Sequence, residues 1–321
     1  NQKYHFFNKP YSKEEYQKKI ASLGLHSRKA INALSDKWRA HRTKNAVYRD
    51  MYALNCENSS GNNIKNSKNC HSVYNVTNCE DSKYLYDVLD AKLCYDLNYS
   101  LYKPEASYEL ISTLQMRYSA FNMASHYCGN TYYCDLTNNS SDLFGCISLN
   151  QKRYCILNKQ YAKDEYETLV PKIIERMKSD GEWGEFFPSK YSPFAYNETV
   201  AQEYFPLPKE EIQAKGLRYK EPEEKAYAPA TSELPDDISS ITDEISKEVF
   251  ACAFCKKNYK IIRQELDFYR TQQIPLPAFC PECRHLQRMG ERSPRVLWDR
   301  ECSDCQSQIN SPLPPELPER V

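Results

Sequence analysis

Three cysteine pairs carry the clearest chemistry in the chain. Cys252-Ala-Phe-Cys255 and Cys280-Pro-Glu-Cys283 are Cys-x-x-Cys knuckles separated by the stretch from Lys256 to Phe279. Two such knuckles supply four thiolates, the donor set that tetrahedral zinc prefers in structural sites. Zinc is therefore the expected cofactor, held by Cys252, Cys255, Cys280 and Cys283. Counted with its four thiolates, such a site carries a net charge of about −2. Packing cysteines or disulfides would not need this spacing, and a redox Cys-x-x-Cys would need a βαβ surround that the sequence does not offer. Cys302-Ser-Asp-Cys305 is a third knuckle without a partner in the chain. It is expected to be half of a second zinc site, completed by a knuckle beyond Val321.

Around the knuckles the sequence is basic. Arg284, Arg288, Arg292, Arg295 and Arg300 follow the second one, and the guanidinium fork suits phosphate. They are candidate nucleic-acid contacts, with Arg on a solvated helix as the plainer alternative. The six histidines (His5, His26, His41, His71, His126 and His285) show no ligand spacing. No Gly-rich phosphate loop, Gly-x-Ser-x-Gly elbow or His-Glu-x-x-His occurs. No catalytic residue is assigned, and the chain leans away from an enzyme.

The elements that must position these groups follow from local pattern. Lys256 to Ile262 reads as a hairpin strand, Gln264 to Gln272 as a helix and Arg284 to Met289 as another. This describes a treble-clef or zinc-ribbon finger. Upstream, from about Cys56 to Lys159, strand-sized runs such as Lys83-Tyr-Leu-Tyr-Asp-Val88 and Arg153-Tyr-Cys-Ile-Leu157 return at intervals of about 9 to 13 positions, a recurrence that predicts a β-solenoid. Its middle, Lys103 to Met123, looks ragged. Its cysteines are expected to pack as small buried residues, with Cys128 and Cys134 the pair to check first.

Lys3 to Tyr16 aligns without gaps with Arg153 to Tyr166 at an offset of 150, with seven of fourteen positions identical. The second copy is expected to end the solenoid and enter a helix, so the first should end an earlier solenoid lying before this chain. Ser12 and Glu15 form a capping box for a first helix, and a second is expected from about Ser27 to Lys44. After a helix from about Ala162 to Ser179, aromatic and Pro-rich strings suggest a packed strap. Residues 217–240 read as an acidic linker, and Ile241 to Val249 as a helix.

Composition bounds the function. The 321 residues carry 43 basic and 43 acidic side chains, so no global field points to nucleic acid or membrane. The charge is blocked instead, with ten Lys or Arg within 9–44, nine acids within 221–248 and ten basic residues within 251–300. A mean hydropathy of −0.77 and 26 Tyr against eight Gly fit a thin stack of strands. No run has the length of a membrane span.

The strings Leu143 to Tyr161, Gly181 to Pro188, Tyr196 to Pro206, and Gln264 to Tyr269 through Cys280-Pro-Glu-Cys-Arg284 resemble the zinc-ribbon and β-solenoid repeat proteins of candidate-phyla-radiation (Patescibacteria-type) bacteria. The resemblance implies a further ribbon and solenoid before Asn1 and a Tyr-Cys-x-x-Cys knuckle after Val321. Glu301 replaces the basic residue usual before the third knuckle and Gln306 the Gly after it, which would make the second site less regular. No activity follows from the resemblance.

The expected fold is mainly β: a right-handed β-solenoid of short irregular coils flanked by helices, plus a C-terminal treble-clef or zinc-ribbon module. The expected divisions are 1–50, the end of a preceding repeat with a helical connector; 51–160, the solenoid; 161–216, helix and strap; 217–248, acidic linker; and 249–321, the zinc module. The expected function is a cytoplasmic, non-enzymatic scaffold whose solenoid face meets a protein or ribonucleoprotein partner, without a membrane or a small-molecule substrate. RNA or ribosome association is the alternative. A carbohydrate-active or carbohydrate-binding solenoid, which would need carboxylates gathered on one face, is a third.

Overall fold

Through most of residues 55–158, every third backbone position lies in the left-handed region: Asn63, Asn66, Asn69, Ser72, Asn75, Asn78, Asp81 and onward. Asn and Asp recur there because they tolerate positive φ better than other non-Gly residues. In the computed structural model, which describes residues 3–45, 51–222, 227, 229–302, 305–312 and 314, each triplet supplies one inward residue, one outward residue and one corner. Four triplets close a coil. The result is a β-solenoid of about nine turns over residues 53–156.

Before the stack come β1 (Tyr4–Phe6), β2 (Lys9–Tyr11), α1 (Lys13–Ala21) and α2 (Arg28–Asn45). The solenoid strands are β3 (Ala53–Leu54), β4 (Gly61–Lys65), β5 (Lys68–His71), β6 (Val73–Thr77), β7 (Glu80–Leu89), β8 (Tyr95–Leu101), β9 (Tyr108–Leu114), β10 (Ala120–Met123), β11 (Gly129–Tyr132), β12 (Ser141–Phe144) and β13 (Arg153–Ile156). They stack in parallel at a nearly constant register. Ile64 pairs with Val76, Val76 with Val88, and Leu143 with Cys155. One coil is longer by a single residue, because Leu97 pairs with Leu110. The extra residue is taken up where Tyr102 and Lys103 both have positive φ. The coils are thus more even than the variable spacing of the strand-sized runs suggests, and the apparent raggedness after Lys103 is a single insertion.

The inward columns mix Ile, Val and Leu with Cys, Ser and Thr. An inward hydroxyl is satisfied along the stack: Ser67 Oγ donates to the Lys65 carbonyl at 2.8 Å and accepts from the Cys79 amide at 3.1 Å. Cys94 Sγ likewise donates to the Lys92 carbonyl at 3.2 Å. Buried polar atoms paired in this way add little cost. Cys128 and Cys134 fall in different inward columns; the residue above Cys134 in its own column is Cys146, one coil later. No disulfide joins the cysteines among the described residues.

Outside, the corner amides form ladders. Asn63 donates to Asn75 at 2.9 Å and Asn75 to Asp87 at 2.8 Å, while Asn66 reaches Asn78 and Asn78 reaches Asp90 at 3.2 and 2.8 Å. A second outward column alternates in charge: Glu57, Lys68, Glu80, Lys92, Glu105 and Arg117 are bridge partners in succession. Ion pairs of 3.0, 3.4 and 3.9 Å join Glu57–Lys68, Glu80–Lys92 and Glu105–Arg117. The column then continues as Gly129, Ser141 and Arg153.

The C-terminal end of the stack is closed by β14 (Lys159–Gln160), antiparallel to β13, and α3 (Lys163–Asp180). Phe144, Ile156, Tyr166 and Val170 form the cap's buried cluster. The strap after α3 packs back on the solenoid, with Trp183 against Phe121 and Tyr133, and Gly184 N–H donating to Tyr133 Oη at 3.3 Å. Short helices α4 (Ala201–Tyr204) and α5 (Lys209–Ala214) follow. At the N-terminus, β1, β2 and α1 repeat the strand, strand, helix order of this cap. Tyr4 pairs with Tyr11 as Tyr154 does with Tyr161, and the Ser12–Glu15 capping box is present.

Two compact units result: Asn1–Val47 with Glu221–Arg292, and Tyr48–Lys220 with Ser293–Val321. The N-terminal helices therefore group with the cysteine module, and the last hairpin with the solenoid. Within the first unit, α2 is held by Arg28, which donates to the carbonyls of Pro235 and Leu276 at 2.6 and 3.3 Å, and by Arg42, paired with Glu291 at 2.9 Å. In the stretch expected to be an acidic linker, residues 223–226 and 228 lie outside the described residues. Within the 217–248 division, however, Ile238, Ile241 and Ile245 are buried in the module's core. In place of a helix from Ile241 there are two 3-10 turns, Ile238–Ser240 and Asp243–Lys247. Acidic neighbours mask an apolar triplet that has a core to join.

Candidate metal centre

The module is a short hairpin, β15 (Phe250–Ala251) and β16 (Asn258–Tyr259), then α6 (Arg263–Gln272) and α7 (Pro281–Gly290). The first knuckle is the hairpin turn. Cys252 N–H donates to the Lys257 carbonyl at 2.9 Å, Lys256 N–H donates to the Cys252 carbonyl at 3.1 Å, and Lys256 takes a left-handed conformation. The second knuckle is the start of α7, with Cys280 as its N-cap and Pro281 following. Cys283 then lies in the first helical turn, where burial and the neighbouring thiols push its own thiol up to about 12.

Together the two turns place all four sulfurs within 4.8 Å of one another. Cys255 Sγ and Cys280 Sγ are 3.7 Å apart, and the Cys280 amide donates to Cys252 Sγ at 3.3 Å. Burial alone would push the Cys252 thiol up. The amides of Cys280, Cys255 and Phe254 outweigh it and bring this thiol down to about 6. Around the sulfurs lie Phe250, Tyr259, Ile261, Leu266 and Leu276. Four clustered cysteines can hold a metal ion with every position supplied by the chain. The four residues expected to act together are thus brought together.

Cys302 and Cys305 lie in the turn between β17 (Trp298–Glu301) and β18 (Gln308–Ser311). Ser303 and Asp304 are outside the described residues. The turn repeats the first knuckle: Cys302 N–H donates to the Ser307 carbonyl at 2.9 Å, Gln306 N–H to the Cys302 carbonyl at 2.9 Å, and Gln306 adopts positive φ without being Gly. Among the described residues, the only metal-competent group of three or more ligands is the cluster at Cys252.

Four of the five arginines are engaged within their own unit. Arg295 is buried; its guanidinium lies 3.8 Å over the Tyr204 ring and is paired with Asp87. It is a structural clamp, not a free phosphate contact. Arg284 is engaged too, donating to Glu265 and to Tyr269 Oη at 3.0 Å each. Arg292 donates to Met289 Sδ at 3.5 Å and Arg300 to the Pro314 carbonyl at 3.3 Å. Arg288 lines a groove of about 670 Å³ between α2 and α7 with Arg39, Asp36 and Glu291. Carboxylates do meet on the solenoid: Asp96 and Glu109 occupy consecutive corners. Burial pushes both carboxyls up, and Glu109 is raised further by Asp96 and Glu185. Because the two stand across the one longer coil, their spacing breaks the usual interval and conceals the pair in the sequence.

No protein-family model and no curated protein matches the chain. Solved structures do match, among them the crystal structure of the polySia specific acetyltransferase NeuO, 11% identical, over 39% of this chain and 97% of that one, with a TM-score of 0.11. At that score the likeness carries no argument about fold or activity. Among the described residues, no helix is long and apolar enough to cross a membrane.

Proposed function

We propose that the chain is a non-enzymatic, zinc-binding scaffold that presents its solenoid to a macromolecular partner. The observation that carries the metal part is the closed four-cysteine cluster. Zinc with sulfur at about 2.3 Å in a tetrahedron needs sulfurs about 3.8 Å apart, and the Cys255–Cys280 separation is 3.7 Å. With no coordination position left for water or substrate, zinc here is structural. The partner part is supported by Tyr99, Tyr102, Tyr118 and Tyr127, each more than half exposed, since Tyr offers a large contact at low entropy cost. A cytoplasmic location fits solenoid cysteines that form no disulfide among the described residues and that, apart from the partly buried Cys56, lie as buried packing residues.

The test is metal content. The purified chain should release about one zinc per molecule when its thiols are titrated, and Cys280→Ser should abolish that zinc. A wild-type chain purified without zinc, and unable to take it up, would refute the assignment. RNA binding is the second reading, supported by Arg39 and Arg288 in the groove between α2 and α7. Affinity capture from lysate separates the two: a complex that collapses with RNase favours RNA, and one that survives favours a protein partner.

A further inference from the structure

The alternating column on the solenoid stops where a cavity begins. Glu57, Lys68, Glu80, Lys92, Glu105 and Arg117 set up a sequence in which the next rung should carry a carboxylate. It carries Gly129 instead, and Ser141 and Arg153 follow. A groove of about 510 Å³ lies at this rung, with Gly129 in its lining, within the range of small-ligand sites. Arg117 stands at one end and Lys152 and Arg153 at the other. Three rungs at about 4.8 Å separate the two arginine backbones by about 14 Å. Among the described residues, no Asp or Glu lines the groove. The nearest acids lie to its flanks: Glu105 is 3.9 Å from Arg117, and Asp142 is 3.8 Å from Arg153.

We infer that this groove binds a sugar bearing an oxyanion, a carboxylate or a phosphate, whose charge replaces the missing acidic rung. Both anions match the guanidinium fork. The rest of the lining reads hydroxyls: Gln115 and Asn139 offer amides, and Tyr127 offers an exposed ring against which a sugar face can pack. Each guanidinium has a single, long carboxylate contact at the groove's flank, 3.9 Å for Arg117 and 3.8 Å for Arg153, whose Nε also donates to Ser141 Oγ at 2.8 Å; an anionic ligand adds a second partner, and a neutral sugar would use only the uncharged part of the lining. The site is distinct from the four-cysteine cluster and does not depend on the scaffold reading.

The test uses the full chain, with equilibrium dialysis against D-glucuronate, glucose 6-phosphate, glucose and inorganic phosphate. Saturable binding of glucuronate or glucose 6-phosphate, with glucose much weaker, is the expected result; whichever of the two is tighter identifies the anion. Gly129→Glu restores the alternation, and the structure accepts it: a Cβ there would meet only the Arg117 carbonyl oxygen, at 3.8 Å. This variant should keep the wild-type melting temperature or exceed it while weakening binding at least about tenfold, the worth of one charge-assisted hydrogen bond. Arg117→Gln should weaken binding similarly and serves if the first variant fails to fold. Absence of saturable binding by both anionic sugars would overturn the proposal. So would undiminished binding in the folded variants, or inorganic phosphate binding as tightly as the sugars.

Discussion

At the scale of single residues, the carboxyl of Glu109 gives a pH signature. Burial raises its pKa above the ordinary value, the Tyr108 hydroxyl opposes this, and Asp96 and Glu185 raise it again. An unfolded Glu ionises near about 4.3. Because the folded group ionises later, the unfolded state is favoured as pH climbs through that range. Glu109 therefore costs stability at neutral pH and costs none in acid, where both states are protonated. Glu109→Gln should melt higher than wild type at pH 7, with the difference shrinking to nothing below about pH 4. Melting curves across pH check this; an equal or lower melting temperature at pH 7 would show that the carboxylate is well solvated. The four clustered cysteines are the opposite case for legibility. Their identity and spacing are readable directly, because a knuckle is a local turn and its two cysteines are neighbours in sequence. Arg284 and Arg295 are not readable, because what decides their roles is Glu265, Asp87 and Tyr204, which lie far away along the chain.

At the scale of elements, the solenoid is visible in the sequence as texture, but its three-residue rule is not. Hydropathy does not mark the rule, since Ser67, Cys79, Thr131 and Leu143 all point inward. The usable signal is the corner: Asn63, Asn66, Asn69, Asn75 and Asn78 differ by multiples of three, and Glu57, Lys68, Glu80, Lys92 and Glu105 recur once per coil. The corner rule predicts an inverted glycine effect. Asn75 has φ of 56° and bonds both Asn63 and Asp87. Asn75→Ala loses two hydrogen bonds, about 0.5–1.5 kcal/mol each, and forces Ala into the left-handed region, about 1 kcal/mol more. Asn75→Gly loses the same bonds without that strain. Both variants should lower the urea midpoint, Gly by less than Ala. The reverse order would mean that the corner relaxes to an extended conformation.

At the scale of the whole molecule, the two units are held by different forces, and removing the metal should separate them experimentally. The solenoid's stability is spread along columns of hydrophobic contacts, with Ile64, Val76 and Val88 in one and Leu85, Leu97 and Leu110 in another, and each coil is supported by the next. The other unit gathers its core around four sulfurs. Binding of structural zinc contributes about 10–16 kcal/mol, comparable with the whole stability of a domain, about 5–15 kcal/mol. Without the metal, this unit should therefore unfold. Loss should extend to α2, because Arg28 is anchored on the carbonyls of Pro235 and Leu276, and Ser27 donates to Asp236 at 2.5 Å. Hydrogen exchange with and without a zinc chelator reads the outcome directly. The hydrogen-bonded amides of Leu266, Arg284 and Ile31 should lose protection, while those of Ile64, Asn78 and Tyr133 in the coils keep theirs. If protection fell in the coils as well, the solenoid would depend on the cysteine module for its fold; if it fell in neither, the cluster would be a packing core that needs no metal.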